Sequence, residues 1–175
     1  MKKSILLAIV SFLLLASCAD RDVKYRSGED DSIIHTGDRL PDFSVTSSDG
    51  TLYTNQSLKG KVAVIVFFNT TCQDCRKELP VINHVYIMYQ NNQQVNFIGI
   101  SRAQSAVDVS AYWTKQDLQI PYSAQSDRTV YHLFAVQDIP RVYITDMTGT
   151  VRFISSDVNM PDETTLSNTI RSYLP

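Results

Sequence analysis

Apolar positions fall along this chain in three different patterns. The first is a run from Ile5 to Ala16, broken only by Ser11, which follows Lys2 and Lys3 and ends in Leu15-Ala16-Ser17-Cys18. A basic start, an apolar stretch of this length and small residues at its end make a secretory signal, and the run is too short for a comfortable bilayer span. The second pattern is a near absence of apolar residues: 19–35 is polar and rich in charge, and reads as a flexible tether. From Gly37 onward the third pattern begins, in which strand-like and helix-like periods alternate.

Phe43 to Thr46 alternates apolar and polar, Ser47-Ser48-Asp49-Gly50 supplies a hairpin turn, and Thr51-Leu52-Tyr53 returns. Val62 to Phe68 is apolar on both alternating faces, which predicts a central strand covered on both sides. A helix follows from about Cys72 to Gln90, with Leu79, Ile82, Val85 and Met88 on its buried face and Pro80 inside it as a kink. Val95 to Ser101 is a second buried strand. Val107 to Gln119 predicts a helix that turns Val109, Tyr112 or Trp113, and Leu118 inward. Ile120 to Tyr122 reads as a short extended piece and Arg128 to Phe134 as a short helix. Arg141 to Asp146 and Val151 to Ile154 pair across the turn Met147-Thr148-Gly149-Thr150. Asp162 to Leu174 is amphipathic, with Asp162 as N-cap and Leu166, Ile170 and Leu174 four apart. The order predicts one α/β domain built on a mixed sheet.

Composition adds limits. The 175 residues are 43% hydrophobic and 19% charged, enough for one packed core and too balanced for a disordered chain. The net charge is −2, and losing Lys2 and Lys3 with a signal peptide would make it more negative. No basic stripe with interleaved aromatics exists, so nucleic acid is not an expected partner.

The 3 cysteines divide cleanly. Cys18 stands directly after the small residues of the signal, where bacterial lipoproteins carry a lipidated cysteine. The chain thus divides into a signal peptide at 1–17, a lipidated tether at 18–35 and a domain at 36–175. Ala19 rather than Asp follows Cys18, which favours the outer over the inner membrane. The remaining two form Cys72-Gln73-Asp74-Cys75, between the most apolar strand and a helix. Residues three apart in a first helical turn bring their sulfurs within bonding reach. Cys72 would sit at the positive helix end among free N–H groups, which stabilise a thiolate. Two other readings compete. Half a zinc site would need ligands from His35, His84 and His132, which show no ligand spacing. A purely structural disulfide is the other.

The segment from Gly37 to about Asp157 resembles the thioredoxin-like TlpA/ResA-type oxidoreductases of the bacterial envelope. The resemblance rests on Pro41-Asp42-Phe43, Asp49-Gly50, Leu58-Lys59-Gly60-Lys61, Phe67-Phe68, Cys72-x-x-Cys75-Arg76-x-Glu78-x-Pro80, Ile139-Pro140 and Ile144-Thr145-Asp146-x-x-Gly149. It implies a thioredoxin fold, a central mixed sheet flanked by helices with an N-terminal hairpin added. It implies Cys72 as attacking and Cys75 as resolving thiol, with no cofactor beyond their disulfide and no metal. Pro140 takes the place of the family's cis-proline, which would turn the Ile139 backbone toward an extended substrate. Glu78 takes the place of a carboxylate held near the cysteines, able to move a proton or tune the thiols.

The implied function is a membrane-anchored, periplasm-facing thiol–disulfide oxidoreductase. It would act as a reductase on exported proteins, such as the haem-site cysteines of cytochrome c biogenesis, and draw electrons from a membrane thiol donor. The sequence departs from the family at Thr71, where Trp usually precedes the first cysteine; Thr71 thereby becomes a substrate-facing candidate. Val66 stands where thioredoxin has a buried acid. Asp74 sets a negative charge beside the Cys72 thiolate and works against it, which favours the reducing direction. A thiol peroxidase is an alternative, though its Pro and Thr positions are Ile65 and Asn69 here. A non-catalytic envelope binding protein or metallochaperone of the same fold is another.

Overall fold

The computed structural model describes residues 31–175. The segment expected to be a signal peptide, Cys18 and most of the expected tether lie outside the described residues. The rest forms β1 (Ser44–Thr46), β2 (Leu52–Thr54), β3 (Val62–Phe68), α1 (Gln73–Tyr89), β4 (Val95–Ser101), α2 (Ala106–Gln116), β5 (Tyr122–Ser123), a short 3-10 turn (Tyr131–Leu133), β6 (Arg141–Thr145), β7 (Val151–Ser155) and α3 (Glu163–Ser172). β1 and β2 make a separate antiparallel hairpin. The main sheet runs β5-β4-β3-β6-β7. β4 is parallel to β3 and β5 parallel to β4, whereas β6 and β7 run antiparallel.

β3 is central because every one of its seven residues is apolar and buried. Its even positions face one layer: Phe68 meets Trp113 of α2 at 4.7 Å between ring centres, and Phe97, opposite Val64, meets Tyr86 of α1. Its odd positions face the other: Phe67 packs on Tyr131, Phe134 and Tyr143. α1 also packs beside α3, where Tyr89 donates to the Ser167 carbonyl and His84 meets Glu163.

Several sequence expectations change in detail. Met88 is 57% exposed, so the buried stripe of α1 is Cys75, Glu78, Leu79, Ile82, Asn83 and Val85. α1 runs through Pro80, which has no N–H to offer the Arg76 carbonyl. α2 stops at Gln116 because Asp117 takes a left-handed conformation (φ 51°) and its N–H closes the last turn on Thr114. Leu118 therefore lies beyond the helix. Trp113, not Tyr112, is the buried aromatic. The helix expected over 128–134 shrinks to the turn at 131–133. α3 ends at Ser172, and Asp162 caps it by accepting from Thr165 N.

The tether also ends earlier than 35. Ser32 bridges Ala135, Ile33 N donates to the Phe134 carbonyl, and Ile34 is buried. Residues 32–34 thus form an extra edge on the segment that leads to Pro140. Two isolated apolar residues in a polar stretch gave the sequence pattern too short a period to mark it.

Candidate functional site

The site lies at the end of β3 where the chain leaves the sheet for α1. A tight loop, 69–71, makes the crossing. Cys72 N donates to the Asn69 carbonyl at 3.0 Å, and the Asn69 side chain accepts from both Thr71 N and Thr71 Oγ1. The Asn69 amide donates to the Arg102 carbonyl at 3.1 Å. Gln104 holds the neighbouring residue from both sides: it accepts from Thr70 N at 2.9 Å and donates to Thr70 Oγ1. Arg76 Nε donates to the Thr70 carbonyl at 2.6 Å. With so many partners the loop carries the cysteines on a fixed base.

Cys72 is the N-cap of α1. Its backbone is extended (φ −75°, ψ 126°), and its sulfur accepts from Cys75 N at 3.3 Å. A sulfur so placed takes one of the helix's free N–H groups and sits at its positive end. Cys72 is partly exposed and Cys75 fully buried; both are free thiols. Burial, and then the adjoining Cys72 thiol, push the Cys75 thiol above the usual thiol range, while a backbone hydrogen bond from Asn69 and the charge of Arg102 act the other way. The two sulfurs are thus unlike: one is open to solvent and the other needs a partner before it can ionise.

Ile139–Pro140 is a cis peptide bond. The Ile139 carbonyl faces the motif and accepts from the Cys72 thiol at 3.5 Å. Sequence-distant Ile139, Pro140, Cys72 and Cys75 are therefore gathered at one point. Thr71 lies exposed beside Cys72, but its hydroxyl is already engaged by Asn69. A surface cavity of about 370 Å³ opens there, bounded by Thr70, Thr71, Gln104, Tyr112 and Lys115.

Glu78 stands one turn below Cys75 on the same helix face and is 3% exposed. Its Oε1 has no partner. Burial raises its carboxyl to about 7. Such a group holds or releases a proton near neutral pH one turn below Cys75. Asp74 has a partner on its own helix. Its carboxylate pairs with Lys77 at 2.8 Å on the exposed side of the helix, a contact that solvent screens. Val66 is fully buried and leaves the strand without an acid. Trp113 does not shield the cysteines from outside; it packs beneath the loop against Phe68.

Two charged residues of this region were not singled out from sequence. Arg102 stacks over Tyr131, 5.0 Å from the ring centre. Arg141, next to Pro140 and 1% exposed, donates to the Gln137 carbonyl and to Ser32 Oγ. A lone arginine at a strand end gives no periodic signal. An arginine at the head of an otherwise apolar strand was the one visible cue. Among the described residues no group of three His, Cys, Asp or Glu side chains could hold a metal ion. None of the described helices is long and apolar enough to cross a membrane.

Comparison with known proteins agrees with this geometry. A family model described as AhpC/TSA family matches residues 36–154. The thiol–disulfide oxidoreductase ResA of Bacillus anthracis is 28% identical over 152 residues, 86% of this chain and 87% of that protein. Among solved structures, a putative protein disulfide isomerase from Bacteroides thetaiotaomicron superposes with a TM-score of 0.76 at 26% identity, over 82% of this chain and 92% of that one. A thiol:disulfide interchange protein of the thioredoxin family from Chlorobium tepidum TLS matches with a TM-score of 0.69 at 23% identity, over 81% and 99%.

Proposed function

The chain belongs to the AhpC/TSA family and is a thiol–disulfide oxidoreductase of thioredoxin fold; from that premise we propose that it is a lipid-anchored disulfide reductase of the bacterial envelope. The observation that carries the reading is the inequality of the two thiols: Cys72 open at the helix N-terminus beside Ile139, Cys75 buried one turn behind it.

The cycle begins with the Cys72 thiolate attacking one sulfur of a substrate disulfide. That S–S bond breaks, one substrate sulfur leaves as thiolate, and a mixed disulfide forms on Cys72. Cys75, ionised, then attacks Cys72 Sγ. The Cys72–Cys75 bond forms and the second substrate thiolate leaves, so the substrate has gained two electrons and the enzyme has lost them. Glu78, close to neutrality in its carboxyl, is placed to take the Cys75 proton. The Ile139 backbone, beside Pro140, pairs with the substrate chain, and Thr71 borders it. The disulfide itself is the only redox group required.

Cys18 as lipid attachment, a signal over 1–17, an outer-membrane preference from Ala19 and a membrane thiol donor complete the proposal. Exported proteins carrying accessible disulfides are the substrate class, with the haem-site cysteines of apocytochrome c as one member. The peroxidase alternative has little support, because Ile65 lies buried in β3 and Asn69 is consumed in holding the loop. A binding or metallochaperone role without turnover leaves the buried Cys75 without a task.

Replacement Cys75→Ser tests the reading. The variant should accumulate mixed disulfides with envelope proteins through Cys72, visible as dithiothreitol-sensitive adducts on non-reducing gels. The double replacement with Cys72→Ser should remove them. An unladdered Cys75→Ser chain contradicts turnover on protein disulfides.

A further inference from the structure

Two cations beside the motif have no acid on their own helices to balance them. Arg76 follows Cys75 on α1, and the residues three and four positions away are Gln73, Cys72, Leu79 and Pro80. Lys115 on α2 has Tyr112, Ala111, Leu118 and Gln119 at those positions. The places from which a helix neutralises a charge are thus empty of carboxylates on both elements. Lys77, by contrast, has Asp74. Among the described residues neither Arg76 nor Lys115 forms an ion pair.

The fold brings both to one cavity. The opening of about 370 Å³ beside Thr71 is walled by the motif loop on one side, through Thr70 and Thr71, and by α2 on the other, through Asp108, Ala111, Tyr112 and Lys115. Arg76 is tied to the loop wall. Its Nε donates to the Thr70 carbonyl at 2.6 Å, which fixes the guanidinium and leaves its other N–H groups for further acceptors. Tyr112 is half-buried, and its hydroxyl bonds to no described residue. Burial raises that hydroxyl above its ordinary range, with the Arg76 charge acting the other way, so it remains a donor at neutral pH. Gln104 is committed to Thr70. Asp108 is the one acid of the lining. Its carboxylate accepts from Ser105 Oγ at 2.7 Å at the start of α2, about 10 Å along the helix axis from Lys115. The Lys115 end therefore offers positive charge and a hydroxyl donor with no acceptor opposite.

Thr71 lines this cavity and directly precedes Cys72. A polypeptide joined to Cys72 by a mixed disulfide holds its next residues within reach, since each extended residue spans about 3.4 Å. We propose that the cavity is a substrate subsite for an acidic side chain flanking the disulfide: Lys115 and Arg76 supply charge, Tyr112 a hydrogen bond, and exported polypeptides with Asp or Glu close to the reacting cysteine are preferred. The inference rests on the reading of Cys72 as the thiol that attacks protein disulfides.

Short peptides that carry one cysteine as a mixed disulfide with thionitrobenzoate read the attack by absorbance. The Cys72 thiolate attacks the peptide sulfur, the S–S bond to thionitrobenzoate breaks, thionitrobenzoate leaves as thiolate, and the peptide stays on Cys72. Glu, Gln, Lys or Phe is placed one or two residues to either side of the cysteine. With the reduced protein the Glu peptide should, at its best position, react about fivefold faster than the Gln peptide, as expected of an ion pair at a partly exposed site, and the Lys peptide should be slower still. Lys115→Glu should invert the order of Glu and Lys, and Arg76→Gln should narrow their ratio. Lys77→Glu, on the exposed side of α1, should leave the ratio in place. Because each ratio is taken within one variant, a general loss of rate does not alter it. Equal rates for Glu and Lys at every position, a Phe peptide faster than the Glu peptide, a Glu preference that survives Lys115→Glu, or an equal effect of Lys77→Glu would overturn the subsite. A reduced wild-type protein that releases thionitrobenzoate from none of the peptides would instead overturn Cys72 as the attacking thiol.

Discussion

Glu78 is a carboxylic acid in a place that disfavours its charge. Its Oε1 is orphaned, and burial moves its carboxyl from 4.5 to about 7. The unfolded chain releases this proton at the lower value and the native chain at the higher. Between them the native state binds more protons, so stability is fullest below about pH 4.5 and is lost as pH rises through 7, by on the order of 3 kcal/mol in all. Glu78→Gln removes that slope. Urea midpoints recorded between pH 5 and 8 should show the variant gaining on wild type as pH rises. Parallel curves would place the acid in solvent and take away its proposed proton-transfer role. At this scale the sequence was informative for the cysteines and for Ile139-Pro140, because spacing and a motif order carry them. It was silent on Arg102 and Tyr131, which are far apart in the chain and meet only in the fold. It did not pair Asp74 with Lys77, an i,i+3 contact that only the helix register makes plain.

At the scale of the element, the buried strands were the most legible part. A strand apolar on both faces can lie only inside a sheet, and β3 and β4 occupy the ranges their pattern predicts. Helix ends were less legible. α2 stops where Asp117 turns left-handed, a conformation that no preceding residue announces. The short helix expected before Pro140 dissolves because Tyr131 and Phe134 are recruited into the aromatic cluster around Phe67, and packing there outweighs helical period. The other side of β3 is equally tight. A methyl group on Gly99 would stand 3.1 Å from the Phe68 ring, which is itself held against Trp113. Gly99→Ala should therefore destabilise the domain by about 1–3 kcal/mol, measured by denaturant unfolding. A neutral result would mean that Phe68 can yield, and that the layer carrying the motif loop is softer than its packing implies.

Across the whole molecule, the N-terminal segment and the site are joined. Residues 32–34 pair with 134 and 135, Ser32 receives a hydrogen bond from Arg141, and the same segment runs on to Ile139. A lipidated tether would therefore enter the domain behind the loop that brings Ile139 and Pro140 to Cys72. Ile34 is 7% exposed, and Ile34→Ala should lower stability by about 2 kcal/mol. A domain begun at residue 36 should lose at least as much relative to one begun at 31, as judged by unfolding midpoints. Indistinguishable midpoints would return 32–35 to the tether, where charge-rich composition had placed them.

The direction of electron flow is the claim on which the functional account depends, and the reduction potential of the Cys72–Cys75 pair tests it most directly. The soluble domain would be equilibrated against graded dithiothreitol or glutathione buffers and its thiols trapped by alkylation. A reductase requires a value near or below that of thioredoxin, about −270 mV. A value near about −120 mV would make the protein an oxidant and contradict the account.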